Sequence, residues 1–240
     1  MWNKIQRIYV GDHYQVYPTW KPTSSTLAYY PLETDTKDYS WNGRDGTNSN
    51  VTFSDGIATF NGSNAMVTIP SASWQIPTAN FTISAWAKAN SWTHTESWQS
   101  YFIVSKRQYF PNTVNDFLYS LWISDAKYAS GGYTTGVNND WSVYPWDSTT
   151  AVNLNERNLY TLTNNWTTKT LYLNWNQIKQ ATANTTSSSN SIPLIIGNGY
   201  HNNHYAYFNG NISNVILENK TWTEQEILDF YNWTKSTYWL

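Results

Sequence analysis

The densest group of side chains able to do chemistry in this sequence is Tyr133, Trp141, Tyr144 and Trp146, set among Asn138, Asn139, Asp140, Ser142 and Asp147. A flat ring beside amides and a carboxylate can stack on the face of a sugar ring while the polar groups hydrogen-bond its hydroxyls. Tyr133, Trp141, Tyr144, Trp146 and Asp147 are therefore candidate carbohydrate contacts. The run Tyr200-His201-Asn202-Asn203-His204-Tyr205 mixes rings and polar groups in the same way, and Tyr200, His201, Asn202 and His204 are its candidates. Trp92 and Trp98 rank behind them. Rings in such stretches also pin long loops to their own domain or meet a neighbouring subunit, and both readings stand at this point.

Other chemistries find less support. Two imidazoles, His201 and His204, make an incomplete zinc set, and a chain without cysteine has no thiolate to complete it. Glycoside hydrolysis needs two carboxylates across the scissile bond, which on one strand means acids at i and i+2 or i+4. The segments Phe117–Ile123 and Thr170–Trp175 contain no acid. Glu33, Asp35 and Asp38 have a useful spacing but fall in a turn-rich stretch, where solvated or turn-capping roles are expected. No nucleophile-elbow motif is present, so an enzyme is not expected. With 14 basic against 16 acidic residues the chain lacks the basic field of a nucleic-acid binder. No apolar run reaches the 18 or so residues of a membrane span, so no membrane insertion is expected. Lys4 and Arg7 interrupt the apolar core that a secretory leader would need. Eight Asn-X-Ser/Thr matches, at Asn50, Asn61, Asn80, Asn165, Asn184, Asn211, Asn219 and Asn232, are close to chance in so Asn-, Ser- and Thr-rich a chain.

The elements that must position these residues are short. Period-2 segments recur at Leu27–Tyr30, Ile57–Phe60, Met66–Ile69, Phe81–Ala87, Tyr101–Ser105, Phe117–Ile123, Leu159–Thr163, Thr170–Trp175, Ile192–Ile196, Tyr207 and Ile212–Leu217. With no helix between them they argue an all-β antiparallel sandwich. Trp175-Asn176-Gln177 reads as a tight hairpin turn. Phe81, Ile83, Trp86, Phe102, Phe117, Leu121, Leu171, Leu173 and Ile196 are the expected core. Fifteen Trp and nineteen Tyr exceed what one such core holds, so a surplus of rings must lie in loops. Residues 124–153 form the longest stretch without a firm strand, and Thr182–Ser191 reads as a loop. One helix is predicted, capped by Thr223 with Glu226 closing a capping box, and Ile227, Leu228, Phe230 and Tyr231 give it an apolar face for a sandwich edge or end. Residues 1–26 stand apart: a β-hairpin turning at Gly11-Asp12, then a proline-marked connector leading into a domain at 27–240.

The order of segments resembles laminin G-like, concanavalin A-like domains. The resemblance is carried by Leu27-Ala28-Tyr29-Tyr30-Pro31-Leu32-Glu33, Asp38, Trp41-Asn42-Gly43-Arg44-Asp45-Gly46, Phe60-Asn61-Gly62-Ser63 and Phe81–Lys88. Leu171–Asn174, Leu194–Asn198, Phe208–Ile212 and Thr223–Ile227 complete it, over about residues 27–233. It implies a two-sheet jelly-roll sandwich that binds carbohydrate or a protein partner. Many relatives hold a structural calcium ion, and their late-strand aspartate corresponds to Asn214 here, a loss of charge that weakens a hard-cation site. No cofactor is therefore expected. Residues 5–18 resemble amino-terminal segments of phage virion and tail-associated proteins. Together these imply a non-enzymatic glycan-binding domain on a virion surface, joined to other virion proteins through residues 1–26. The alternatives are display on a bacterial cell surface, an assembly protein whose rings meet in a homo-oligomer, and a glycan-active hydrolase.

Overall fold

Alternating apolar residues build two antiparallel sheets that face each other across one core. The structure, a computed structural model, describes residues 7–10, 13–16, 20–76, 80–92, 100–107, 117–133, 150–182, 191–201 and 204–235. Arg7–Val10 (β1) and His13–Val16 (β2) form the predicted hairpin across Gly11-Asp12, paired with each other as a separate two-stranded sheet. The strands that follow are Thr26–Tyr30 (β3), Thr47–Ser49 (β4), Thr52–Ser54 (β5), Ile57–Asn61 (β6), Met66–Ile69 (β7) and Asn80–Ala89 (β8). Next come Tyr101–Arg107 (β9), Phe117–Ile123 (β10), Ala129–Tyr133 (β11), Arg157–Asn165 (β12) and Thr168–Leu173 (β13). Asn176–Thr182 (β14), Leu194–Ile196 (β15), Tyr200–His201 (β16), His204–Tyr205 (β17) and Asn209–Glu218 (β18) complete the series, and the one α-helix among the described residues, α1, spans Glu224–Lys235.

One sheet runs β11-β10-β9-β15-β7-β4. The other runs β14-β13-β12-β8-β18-β6-β5, with β3 also pairing β18 to make eight strands. The expected all-β, two-sheet jelly-roll sandwich with a carboxyl-terminal helix is the observed architecture. Between the sheets lie Phe81, Ile83, Leu121, Leu171, Leu173 and Ile196, as predicted, with Tyr30, Phe60, Tyr119, Tyr160 and Phe208.

Several expectations need correcting. The hairpin turn between β13 and β14 is Asn174-Trp175 rather than Trp175–Gln177, because Leu173 already pairs with Asn176. β11 lies inside the stretch where no firm strand was expected, and Tyr207 lies between β17 and β18. Trp86 and Phe102 are buried outside the inter-sheet core. The helix covers the outer face of the eight-stranded sheet, not an edge or end. That face carries Tyr29, Trp86, Leu159, Tyr172 and Ile216, an apolar surface too large to leave wet. Ile227, Phe230, Tyr231 and Thr234 point down onto it, whereas Leu228 is only half-buried. The Trp86 indole stacks on Tyr231 at 5.2 Å and donates its Nε1–H to Thr234 Oγ1 at 2.7 Å, which satisfies the polar edge of a buried ring. Trp20, in the predicted connector, joins the same layer beside Tyr29, Phe230 and Trp233.

The capping box is present as predicted. Thr223 Oγ1 accepts from Glu226 N–H at 3.2 Å, and Glu226 Oε2 accepts from Thr223 N–H at 3.0 Å. Replacing Thr223 by alanine is expected to cost about 1 kcal/mol in chemical denaturation, the usual loss at an N-cap. Wild-type stability in that variant would show that sheet packing alone holds the helix start.

Candidate functional site

The described parts of the two predicted ring-rich segments lie on or against the six-stranded sheet. Tyr133 ends β11, its edge strand, opposite Tyr119. Tyr200, His201 and His204 sit on the small hairpin β16–β17, where Tyr200 pairs Tyr205 and His201 stands directly opposite His204. The chain around this hairpin lies against the outer face of the sheet: Ala206 joins Phe102 and Trp122 in one buried cluster, and a Cβ at Gly199 would stand 2.4 Å from the Phe102 ring. Tyr205 is 56% exposed and lies 5.8 Å from the Tyr207 ring. Trp141, Tyr144, Trp146, Asp147, Asn202 and Trp98 lie outside the described residues, as does most of the Thr182–Ser191 tract. Trp92 packs edge-on against Tyr101 at 5.0 Å, a core contact.

The outer face of that sheet bears on catalysis. Register places Phe102, Trp122 and Ser130 in one row, and Ser105, Ser120 and Gly132 in the next, with Arg107 following Ser105 on the same side. The Arg107 guanidinium lies 5.0 Å from the Phe102 ring centroid. No carboxylate stands in these rows, so among the described residues this face lacks the paired acids of a glycosidase.

A second site was not expected from the sequence. It lies where the chain leaves β3, beside a bulge in β18 and the last turn of α1. The register of β18 shifts between Ser213 and Ile216, and Asn214 in that bulge has φ 48°, a left-handed conformation that asparagine tolerates better than most residues. The bulge turns Asn214 back toward the chain leaving β3: its N–H donates to Pro31 O at 3.0 Å, and its Oδ1 accepts from Tyr29 OH at 2.5 Å. Beyond Pro31 the chain turns through Leu32, also at positive φ, into Glu33, Thr34 and Asp35. Asp35 accepts from Lys37 N–H at 3.0 Å and from Tyr39 OH at 3.3 Å. Trp233 arrives from α1. These elements enclose a pocket of about 90 Å³ lined by Tyr29, Pro31, Glu33, Thr34, Asp35, Tyr39, Asn214 and Trp233.

The two carboxylates act on the Tyr39 phenol. Burial first, and next the charge of Asp35, raise the Tyr39 phenol above its ordinary pKa, with Glu33 adding to the shift. Asp38, two turns of chain away, serves structure. It accepts from the N–H groups of Tyr29, Ser40 and Arg44 at 2.8–3.0 Å and from Ser40 Oγ at 2.9 Å, the turn-organising role expected for it. Glu33 and Asp35 differ, because they also face a cavity.

The calcium ion implied by the resemblance does not fit these groups. Asn214 Oδ1 and Pro31 O already accept hydrogen bonds, and two carboxylates fall well short of the six to eight oxygens a calcium ion takes. Among the described residues no three His, Cys, Asp or Glu side chains cluster closely enough to hold a metal ion.

Residues 61–228 match the laminin G-like family described as the concanavalin A-like lectin/glucanases superfamily. The chain belongs to this superfamily. No curated protein matches the sequence. Among solved structures, domain 4 of AbnA, a GH43 extracellular arabinanase from Geobacillus stearothermophilus solved with arabinotriose, is similar at 13% identity and TM-score 0.64, over 86% of this chain and 98% of that one. Trypanosoma rangeli sialidase is similar at 15% identity and TM-score 0.66, over 90% of this chain but only 34% of the sialidase. The binding domain of Paraclostridial Mosquitocidal Protein 1 is similar at 16% identity and TM-score 0.62, over 87% of this chain and 52% of that one. At such identities the likeness establishes a shared fold. This member of the superfamily keeps the two-sheet frame and places its rings and acids as described above.

Sequence reasoning noted the spacing of Glu33, Asp35 and Asp38 but not the pocket. The missing signal was long-range, because Asn214 and Trp233 lie 179 and 198 residues beyond Asp35 in the sequence (214 − 35 and 233 − 35).

Proposed function

We propose that this chain is a non-enzymatic carbohydrate-binding domain that serves adhesion on a virion surface. The observation that carries the binding reading is the pocket in which the half-buried rings Tyr39 and Trp233 stand with Glu33 and Asp35, backed by the buried Tyr29 and Asn214. Rings for stacking beside acceptors for hydroxyls are the chemistry of a sugar site. Membership of a lectin/glucanase superfamily and a similar domain solved with arabinotriose support it. Among the described residues, the rows of side chains on the outer face of the six-stranded sheet carry no acid, which supports binding without hydrolysis. A second contact surface is proposed at Tyr133, Trp141, Tyr144, Trp146 and Asp147 with the hairpin residues Tyr200, His201, Asn202 and His204. Attachment to other virion proteins is assigned to residues 1–26, whose hairpin pairs with itself rather than with either sandwich sheet.

A multivalent form of the full chain is expected to bind one class of glycan on an array, since weak sites gain from copy number. Tyr39→Ala should weaken this by about tenfold, the loss typical of one stacking ring and its hydrogen bonds. The double substitution Trp141→Ala with Trp146→Ala tests the second surface in the same way. No binding to any glycan by the multivalent wild type would sink the proposal. A large fixed oligomer of a chain shortened to begin at Trp20 would instead favour the assembly reading, in which exposed rings such as Trp41 and Trp166 meet a neighbouring copy.

A further inference from the structure

We infer that Asn42 is a site of spontaneous covalent modification, at which the chain converts its own asparagine to aspartate and isoaspartate and so loosens the loop that carries Trp41. The inference is independent of the glycan reading. The sequence has four Asn-Gly pairs, Asn42-Gly43, Asn61-Gly62, Asn198-Gly199 and Asn209-Gly210. In such a pair the glycine nitrogen can attack the asparagine Cγ, because glycine has no side chain to obstruct the approach. The nitrogen gives up its proton to hydroxide, the new C–N bond closes a five-membered succinimide, and ammonia leaves. Water then opens the ring at either carbonyl. The product is aspartate or its isomer, in which the main chain runs through the side-chain carbon. Amide and water are thus exchanged for acid and ammonia, with no change of oxidation state.

Folding separates the four pairs by what holds the attacking nitrogen and what reaches it. Gly62 N–H donates to Phe208 O at 3.0 Å, and Asn61 Oδ1 is held by the N–H groups of Ser63, Asn64 and Ala65 at 3.0–3.1 Å. Gly210 lies inside β18, paired with Phe60 of β6 on one side and with Ala89 of β8 on the other. Asn198 is wholly buried, and its carbonyl oxygen accepts from Ser105 Oγ at 2.8 Å. Asn42-Gly43 differs on every count. Both residues are exposed, and Gly43 N–H makes no hydrogen bond among the described residues. Gly43 has φ 68°, and an added Cβ would meet nothing within 4 Å. Hydroxide therefore reaches this nitrogen without any opening of the fold.

The same carboxamide is a latch. Asn42 Nδ2 donates to Thr26 O at 3.0 Å, Leu27 O at 3.2 Å and Ser40 Oγ at 3.0 Å, which ties the loop to the start of β3. These bonds slow the reaction relative to an unfolded chain, but the one to Leu27 is exposed and water readily replaces it. An ionised acid at this position donates to none of the three acceptors. It also adds a negative charge to a loop that already holds Asp38 and Asp45, joined by the Asp38 N–H donating to Asp45 Oδ1 at 2.9 Å. Isoaspartate goes further, because it lengthens the main chain between Trp41 and Arg44. Trp41 sits at φ 67°, an outlying value for so bulky a residue, and Arg44 N–H is fixed on Asp38 Oδ2 at 3.0 Å. Trp41 is 73% exposed, so conversion alters a surface ring together with a fold contact.

The test incubates the full chain at mildly alkaline pH in native buffer and, in parallel, in concentrated urea. Conversion at each pair is followed by peptide-mapping mass spectrometry with an isoaspartate assay. In urea all four pairs are expected to react. In native buffer Asn42 should react first, and each of the other three at least roughly tenfold more slowly, the factor that breaking a backbone hydrogen bond or opening a buried strand imposes. The native rate at Asn42 should rise in proportion to hydroxide. Asn42→Gln, whose longer side chain closes a less favourable ring, and Gly43→Ala should each remove this product. Neither should change conversion of the other three pairs in urea, which separates a block at the reacting pair from an altered fold. The converted chain, isolated by its extra negative charge, should melt about 2–4 °C lower, the shift that one net hydrogen bond gives in a domain of this size. The inference is overturned if Asn61, Asn198 or Asn209 converts first in native buffer, or if Asn42 stays an amide there while it converts in urea. It is overturned equally if the converted chain melts as the unconverted one does.

Discussion

Alanine at Gly210 is expected to lose about 4 kcal/mol of stability, near the top of the range for single substitutions. Gly210 lies in β18 at φ 151°, directly opposite Ala89 of β8. A Cβ there would stand 2.0 Å from the Lys88 carbonyl oxygen and 3.0 Å from its carbonyl carbon, both backbone atoms of the adjacent central strand. Nothing flexible can yield, so relief means prising apart the β8–β18 pair. The control is Gly43→Ala. Gly43 also has positive φ, at 68°, but an added Cβ meets nothing within 4 Å. That variant should lose only the left-handed backbone penalty, about 1–2 kcal/mol. Denaturant midpoints of the two variants decide the matter, and equal losses would mean that backbone conformation, not close approach, sets the cost.

Alkaline pH is expected to unfold the domain steeply. Tyr30, Tyr119 and Tyr160 are fully buried between the sheets, and burial raises each phenol far above its ordinary pKa of 10.0. In the unfolded chain the same phenols ionise near 10. Their folded pKa is the higher, so their stabilising contribution is complete below pH 10 and is lost as pH rises beyond it. Each adds about 1.4 kcal/mol of loss per pH unit above 10, or roughly 4 kcal/mol per unit for the three. Lys106 acts with the opposite sign. Its ammonium donates to Gln75 Oε1 at 2.8 Å, Ser71 Oγ at 3.3 Å and the Ile192 carbonyl, yet burial lowers its pKa from 10.5 to about 8. Between about 8 and 10.5 the unfolded chain holds a proton that the folded one has released, so this residue makes stability rise with pH across that window. Denaturant unfolding from pH 7 to 11.5 should show a gentle rise, absent in Lys106→Met, followed by the steep fall. Tyr119→Phe and Tyr160→Phe should each flatten the fall by about 1.4 kcal/mol per pH unit. Neither hydroxyl has a hydrogen-bond partner among the described residues, so neither change should reduce stability at pH 7. An unchanged alkaline slope in these variants would place the fall elsewhere.

What could be read from the chain was local. The capping box at Thr223 and Glu226 needs four consecutive positions, and the hairpin at Gly11-Asp12 needs two strands and the turn between them. β7 and β10 begin and end where the apolar periodicity does. The short strands β4 and β5 were missed, because Thr47–Ser49 and Thr52–Ser54 are mostly exposed and carry no apolar alternation; neighbouring strands define them. Trp86 was read as core and is buried, but beneath the helix, since period-2 alternation says which residues share a face and not what covers that face.

The excess of rings divides along the same line. Composition alone showed that the aromatics outnumber one core, and segment order marked a laminin G-like sandwich. A substantial share of the surplus joins the predicted apolar face of the helix, Phe230 and Tyr231, in a layer with Trp20, Tyr29, Trp86, Trp222 and Trp233 between the eight-stranded sheet and α1, and no sequence pattern pointed to those five. The pocket depended on tertiary folding in the same way. Tyr29 and Asp35 come from one end of the chain, Asn214 from a bulge in a late strand, and Trp233 from the final helix. Periodicity and capping act between residues a few positions apart, so they are written into local sequence. A pocket is made of distances between residues nearly two hundred positions apart, and those distances exist only once the sheets have paired and the helix has docked.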